Sequence, residues 1–77
     1  MYIIYSKEGC INCVRAKALL TAKGIQFKEI RIDLEESLEV LERLKEMGVR
    51  QLPHIEFEDE LWWRKVGGLE ELKKELF

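Results

Sequence analysis

The strongest constraint on this chain lies in its first 33 residues, where the apolar pattern changes period twice. "YIIY", Tyr2 to Tyr5, is a short apolar and aromatic run bounded by "SKEG", the pattern of a buried strand. From Ile11 to Lys23 the spacing becomes helical: Val14, Ala18 and Ala22 recur every four residues, with Ala16 and Leu20 beside them. Gly24 is placed to end that helix in the left-handed conformation, and Ile25, Phe27, Ile30 and Ile32 return to near alternation. A slip between Phe27 and Ile30 blurs the start of this second strand. Strand, helix and strand in so few residues dictate a right-handed crossover and two parallel strands.

The remainder extends the pattern. Asp33 followed by Glu36 has the form of a capping box, and Leu34, Leu38, Leu41, Leu44 and Met47 recur at helical spacing up to Gly48. Leu52, His54 and Glu56 then alternate against Pro53, Ile55 and Phe57, and "ELWWRKV" after Glu58–Asp59 reads as the hairpin partner. Gly67–Gly68 breaks that strand. Leu69, Leu72 and Leu76 line one face of a closing helix, with Glu70 and Lys74 as an exposed supporting pair. The predicted order is β-α-β-α-β-β-α: an α/β fold with a mixed sheet and helices on both faces. At 77 residues the chain is expected to be a single domain, residues 1–77, near the size at which one core suffices without staples or metals.

Composition narrows the function. Thirteen basic and fifteen acidic residues are interspersed, giving a formal charge of −2, so no basic stripe is available for nucleic acid or anionic lipid. Neither nucleic acid nor membrane is expected as a partner. The opening "MYIIYSKEGC" shows no positive leader, long apolar run or small-residue cleavage site, so a cytoplasmic location is expected.

The two cysteines, Cys10 and Cys13, admit three readings: a metal claw, a structural staple or a redox pair. A staple is disfavoured in a reducing compartment and would close too short a loop to constrain the unfolded chain. A closed tetrahedral site needs four ligands, and the chain offers the two thiols and His54, which reads better as a strand residue. A metal or cluster module remains open only if a dimer or external thiols complete the set. The redox reading fits the placement. Cys10 falls where a helix begins, facing unpaired N–H groups and the positive end of the helix dipole. Lys7 and Arg15 add positive charge and Glu8 opposes it, so Cys10 is expected to be the nucleophilic thiolate. Cys13, one turn further in, is expected to remain a thiol and to resolve the mixed disulfide.

"YSKEGCINCVRAKALLTAKGIQFKEIRID", "VRQLPHIEF" and "VGGLEEL" together resemble the glutaredoxin family of thioredoxin-fold proteins, over nearly the whole chain and in the family's order. The resemblance implies a thioredoxin-like, four-stranded mixed sheet and a cis bond before Pro53. It implies a thiol-disulfide oxidoreductase acting on disulfides or glutathione mixed disulfides through Cys10 and Cys13; on the ligand count above, no metal is expected at the site. By the same resemblance the main chain of Leu52 pairs with substrate like an added strand. Lys7, Asn12 and Gln51 line the glutathione groove, and the backbone N–H groups of Leu69 and Glu70 meet a carboxylate. Gly67 and Gly68 permit close approach of the main chain, and Arg50 is either a further groove residue or a solvated charge after a helix. No tightly bound cofactor is implied. Glutathione is the expected reductant or co-substrate, disulfide proteins are the expected partners, and the protein is expected to be a monomer.

Two departures bear on partners. Ile11 and Asn12 stand where the dithiol members commonly carry proline and tyrosine, which changes thiolate stabilisation and removes an aromatic wall of the glutathione site. A related branch, small redoxins that supply electrons to ribonucleotide reductase and draw them from thioredoxin reductase rather than the glutathione reductase system, also has altered centres but lacks the diglycine. The final hairpin is longer than in typical members, because "ELWWRK" extends it. Trp62 and Trp63 would point to opposite faces of a strand, either packed or, for one of them, exposed as a partner patch edged by Arg64 and Lys65.

Overall fold

A computed structural model describes residues 1–77. The elements are β1 (Tyr2–Ser6), α1 (Ile11–Ala22), β2 (Phe27–Arg31), α2 (Leu38–Glu46), β3 (His54–Glu58), β4 (Trp63–Gly67) and α3 (Leu69–Leu76), with a single 3₁₀ turn at Glu35–Ser37 leading into α2. The sheet order is β2-β1-β3-β4. β1 pairs parallel with β2, as the α1 crossover requires, and antiparallel with β3, which pairs antiparallel with β4.

Alternation along β1 divides the interior in two. Tyr2 and Ile4 face one side with Ile55 of β3, packed by Ala16 and Leu20 of α1 and Leu69 and Leu72 of α3. Ile3 and Tyr5 face the other, under Leu44 of α2, with Ile30, Ile32, Val40, Met47, Val49 and Leu52 around them. A five-residue strand can therefore be buried throughout without alternating in polarity, because helices cover both faces.

Several expectations are corrected. The buried stripe of α1 is Cys13, Ala16 and Leu20, while Val14 is exposed, because α1 is turned to meet the sheet and α3. The Asp33–Glu36 capping box does not form. Asp33 instead accepts from Arg31 and from the Glu8 N–H, and α2 begins only at Leu38, leaving Leu34 and Leu38 exposed. β2 starts at Phe27, and Ile25 lies in the loop before it. Trp62 precedes β4 rather than lying in it, and a bulge opposite Ile55–Glu56 interrupts the hairpin. Glu70 pairs with Lys73 at 3.6 Å rather than with Lys74.

The end of α2 sets the path of the chain toward the cysteines. Gly48, at φ +81°, donates to the Lys45 carbonyl, and Val49 donates to the Leu44 carbonyl. This is a Schellman close, which requires the left-handed conformation and folds the chain back so that Val49 packs against the Leu44 cluster. The chain then runs past the start of α1 to Pro53.

Candidate active site

Cys10 is the N-cap of α1, with extended backbone dihedrals, and its Sγ accepts from the Cys13 N–H at 3.1 Å. Its sulfur thus takes the place that a Ser or Asp oxygen has at other helix starts, where negative charge is favoured. Cys10 and Cys13 are joined as a disulfide with Cα atoms 5.2 Å apart. Cys13 is 1% exposed, whereas Cys10 is partly open. Only one sulfur of the pair is presented to solvent.

The loop that presents Cys10 is tied down from below. The Glu8 N–H donates to Asp33 Oδ2 at 3.1 Å, and Arg31 grips the same carboxylate, linking residues 7–9 to the end of β2. The Arg31 guanidinium, followed by the Glu8 N–H, holds the Asp33 carboxyl well below the usual carboxylate range.

Two adjoining grooves meet at Asn12 and the segment 49–52. The first, about 620 Å³, is bounded by Lys7, Cys10, Asn12, Gln51 and Leu52, and runs under α2 to Leu41 and Lys45. The second, about 500 Å³, runs from Asn12 along Leu52–Pro53 to Gly68, Leu69 and Glu70 at the start of α3. Every residue expected at the site therefore lines one groove or both, apart from Cys13, which lies behind Cys10 and reaches a third groove of about 270 Å³. Arg50, the weaker candidate, lines the first two; Arg15 lines none of the three. The Leu52–Pro53 bond is cis, as the family likeness implied.

At the start of α3 the Glu71 carboxylate accepts from the Gly68 N–H at 2.7 Å, and the amides that follow, those of Leu69 and Glu70 among them, precede the first intrahelical carbonyl bond, which Leu72 makes to Gly68. Gly67 has φ +117°, and a Cβ there would lie 2.9 Å from Glu71 Cγ. The diglycine is thus partly a local packing requirement.

Two polar clusters were not anticipated. His54, next to Pro53, is 3% exposed, and its Nε2 lies 3.0 Å from Glu56 Oε2. Glu56 also accepts from Tyr5 Oη at 3.2 Å and from Arg43 Nη2 at 3.1 Å, while Arg43 donates to Tyr5 Oη at 2.7 Å. Burial, and then the Glu56 carboxylate, push the Tyr5 phenol above its ordinary value. With its ring engaged by Glu56, His54 is a structural residue, and nowhere do three or more His, Cys, Asp or Glu side chains converge as metal ligands. On the other face, buried Ser6 and Lys17 both donate to Glu29 Oε2 at 2.7 Å, and Lys17 first, then Ser6, draw the Glu29 carboxyl below its usual value. The only signal for either cluster in the sequence was charged residues at strand positions with period two.

A half-buried cysteine capping a helix, a buried partner one turn on and a cis-proline loop beside them, on a βαβ–ββα frame, define a thioredoxin-like thiol-disulfide oxidoreductase. Comparison with known proteins narrows the class. The glutaredoxin family model matches residues 2–62, and the chain belongs to the glutaredoxin family. It is 38% identical over 69 residues to glutaredoxin 3 of Escherichia coli (strain K12), spanning 90% of this chain and 77% of that protein. It is 41% identical over 59 residues to the glutaredoxin-like protein NrdH of Lactococcus lactis subsp. cremoris (strain MG1363), spanning 77% and 79%. The solved NrdH-redoxin of Escherichia coli superposes with a TM-score of 0.75 at 25% identity, covering 95% of this chain and 91% of that one.

Proposed function

We propose that residues 1–77 act as one glutaredoxin-like domain that reduces disulfides and glutathione mixed disulfides. Cys10 is the nucleophile and Cys13 the resolving thiol. In the reduced protein the Cys10 thiolate attacks one substrate sulfur, breaking the substrate S–S bond and releasing one thiolate, which takes up a proton. The Cys13 thiol, on losing its proton, attacks Cys10 Sγ, and the second substrate thiolate leaves. Two electrons pass from the dithiol to the substrate, and two molecules of glutathione or a reductase restore the dithiol.

The observation that carries the glutathione assignment is the second groove, which joins the Leu52 main chain and the open N–H groups of Leu69 and Glu70 to the start of α1. A peptide lying antiparallel along Leu52 would put a terminal carboxylate at α3, where a helix start favours it. Lys7 and Gln51, with Asn12 between the grooves, are placed to meet the other end of a tripeptide that carries two carboxylates. Such a cycle needs reduced thiols, which supports a cytoplasmic location, and needs no second subunit or tightly bound cofactor.

A second reading, a redoxin served by thioredoxin reductase, is favoured by Ile11, which is 67% exposed beside Cys10 and offers an apolar contact to a protein reductase. NADPH oxidation coupled through glutathione and glutathione reductase, then through thioredoxin reductase, separates the two. In the glutathione system Cys10→Ser should abolish turnover, while Cys13→Ser keeps part of the glutathione mixed-disulfide activity. Equal loss in both variants would refute the glutathione route in favour of a strictly dithiol redoxin.

A further inference from the structure

The first groove exceeds what glutathione needs. Its floor carries Ile32, Leu41 and Val49, and its cations are Lys7, Lys45 and Arg50, with no carboxylate among its lining residues. The second groove is unlike it, because Glu70 and Glu71 line it together with Arg50 and Lys65. On a chain of net charge −2, a cleft beside the reactive sulfur with three cations and no acid is a local reversal of the overall balance. A volume of about 620 Å³ lies within the range of specific ligand sites. The glutathione tripeptide, whose only side chain is its cysteine, would leave the apolar floor uncovered.

We propose that this groove is a subsite for protein disulfides whose reactive cysteine has a large apolar side chain and an acidic side chain within three residues of it. The inference rests on the reductase reading and names its preferred substrate class. An extended substrate strand pairing with the Leu52 main chain sends alternate side chains to the same side, so residues two apart in the substrate can enter the groove together. The apolar one covers Ile32, Leu41 and Val49. The acid meets Lys45 and Arg50 at the rim. Charge complementarity then acts on encounter and register, and screening by salt weakens it.

The test compares three octapeptides, each disulfide-linked to a thiol reporter. One has leucine and glutamate each two residues from the cysteine, on either side of it, one has lysine in place of the glutamate, and one has glycine in place of the leucine. Bis(2-hydroxyethyl) disulfide serves as the neutral baseline. Wild-type protein should show kcat/KM about tenfold higher for the leucine–glutamate peptide than for the lysine peptide at low salt, and about threefold higher than for the glycine peptide. Lys45→Glu should erase or invert the charge preference while leaving the baseline rate within about twofold, and Lys45→Gln, which disturbs the helix end less, should halve it. Raising the salt to about 0.5 M should shrink the charge preference in wild type. Equal rates on all three peptides, or a preference indifferent to both Lys45 variants and to salt, would overturn the subsite and leave the reductase reading standing. Absence of turnover on every disulfide, the baseline included, would refute the reductase reading and with it this inference.

Discussion

Replacing Glu56 by alanine probes how the polar cluster beneath α2 secures the chain beside the active site. The Glu56 side chain is 6% exposed and accepts from Tyr5, Arg43 and His54, and His54 directly follows the cis-proline segment that walls the second groove. Alanine would leave two buried donors, Tyr5 Oη–H and His54 Nε2–H, without that acceptor, at about 1–2 kcal/mol each. Arg43 is 40% exposed, so water can replace its lost partner, and that contact adds only about 1 kcal/mol. The sum is about 3–5 kcal/mol, in line with what breaking a buried ion pair costs. A chain of this length has a total stability of about 4–11 kcal/mol, so the variant should fold only marginally. Urea unfolding followed by far-ultraviolet circular dichroism gives the difference directly. Glu56→Gln, which retains one acceptor oxygen, should cost about 1–2 kcal/mol, and Arg43→Met about 1 kcal/mol. A loss below about 1 kcal/mol in Glu56→Ala, or an equal loss in Arg43→Met, would refute the view that the two buried donors carry the effect.

Three further outcomes are expected. Gly67→Ala should destabilise by about 1–3 kcal/mol, because of its φ of +117° and the 2.9 Å approach to Glu71. Gly68→Ala, whose Cβ would come no closer than 3.4 Å to Glu71 and 3.6 Å to the Pro53 carbonyl, should stay within about 1 kcal/mol, and equal urea midpoints for the two would contradict this. Lys17 lowers the Glu29 pKa, and Arg64 lowers that of Glu75. A carboxylate whose folded pKa is depressed stabilises above its unfolded pKa, about 4.3, and loses that contribution as pH falls through the folded value. Thermal midpoints should therefore drop below about pH 4.5, with Glu29→Gln less stable than wild type at neutral pH by up to about 1 kcal/mol and level with it at the acid end. A gap of the same size at both ends would count against the Glu29 account. Trp62 and Trp63 are both half-exposed, at 49% and 52%, but Trp62 lies against Phe57, with ring centroids 5.6 Å apart, whereas the Trp63 ring is approached by the Arg43 guanidinium at 6.0 Å. Trp62→Ala should cost about 1–2 kcal/mol and Trp63→Ser less than about 1 kcal/mol, with turnover, solubility and oligomeric state unchanged by the latter if Trp63 serves no partner.

The number, order and type of the elements were readable from the chain because each depends on neighbours within a few residues: the period of apolar side chains, Gly24 and Gly48 where helices close, and a CxxC pair at a strand-to-helix boundary. The same locality made Cys10 readable as the sulfur at the helix start, since capping is decided within one turn. Which face of α1 is buried was not readable. Its alanines are spread around the helix and weakly apolar, so packing against the sheet and α3 selected Cys13, Ala16 and Leu20 over Val14 and Ala18. Asp33 suited a capping box, but the Glu8 N–H, 25 residues away in the chain, and Arg31 won it. Alternation placed His54 and Glu56 on one face of a strand, but only β3 set between β1 and β4, with α2 bringing Arg43 across it, made one carboxylate the shared acceptor. The sequence by itself determined the elements and the reacting pair. Only the tertiary structure decided which polar groups are buried together and which cations gather without an acid beside Cys10, because those contacts join segments that have no local reason to meet.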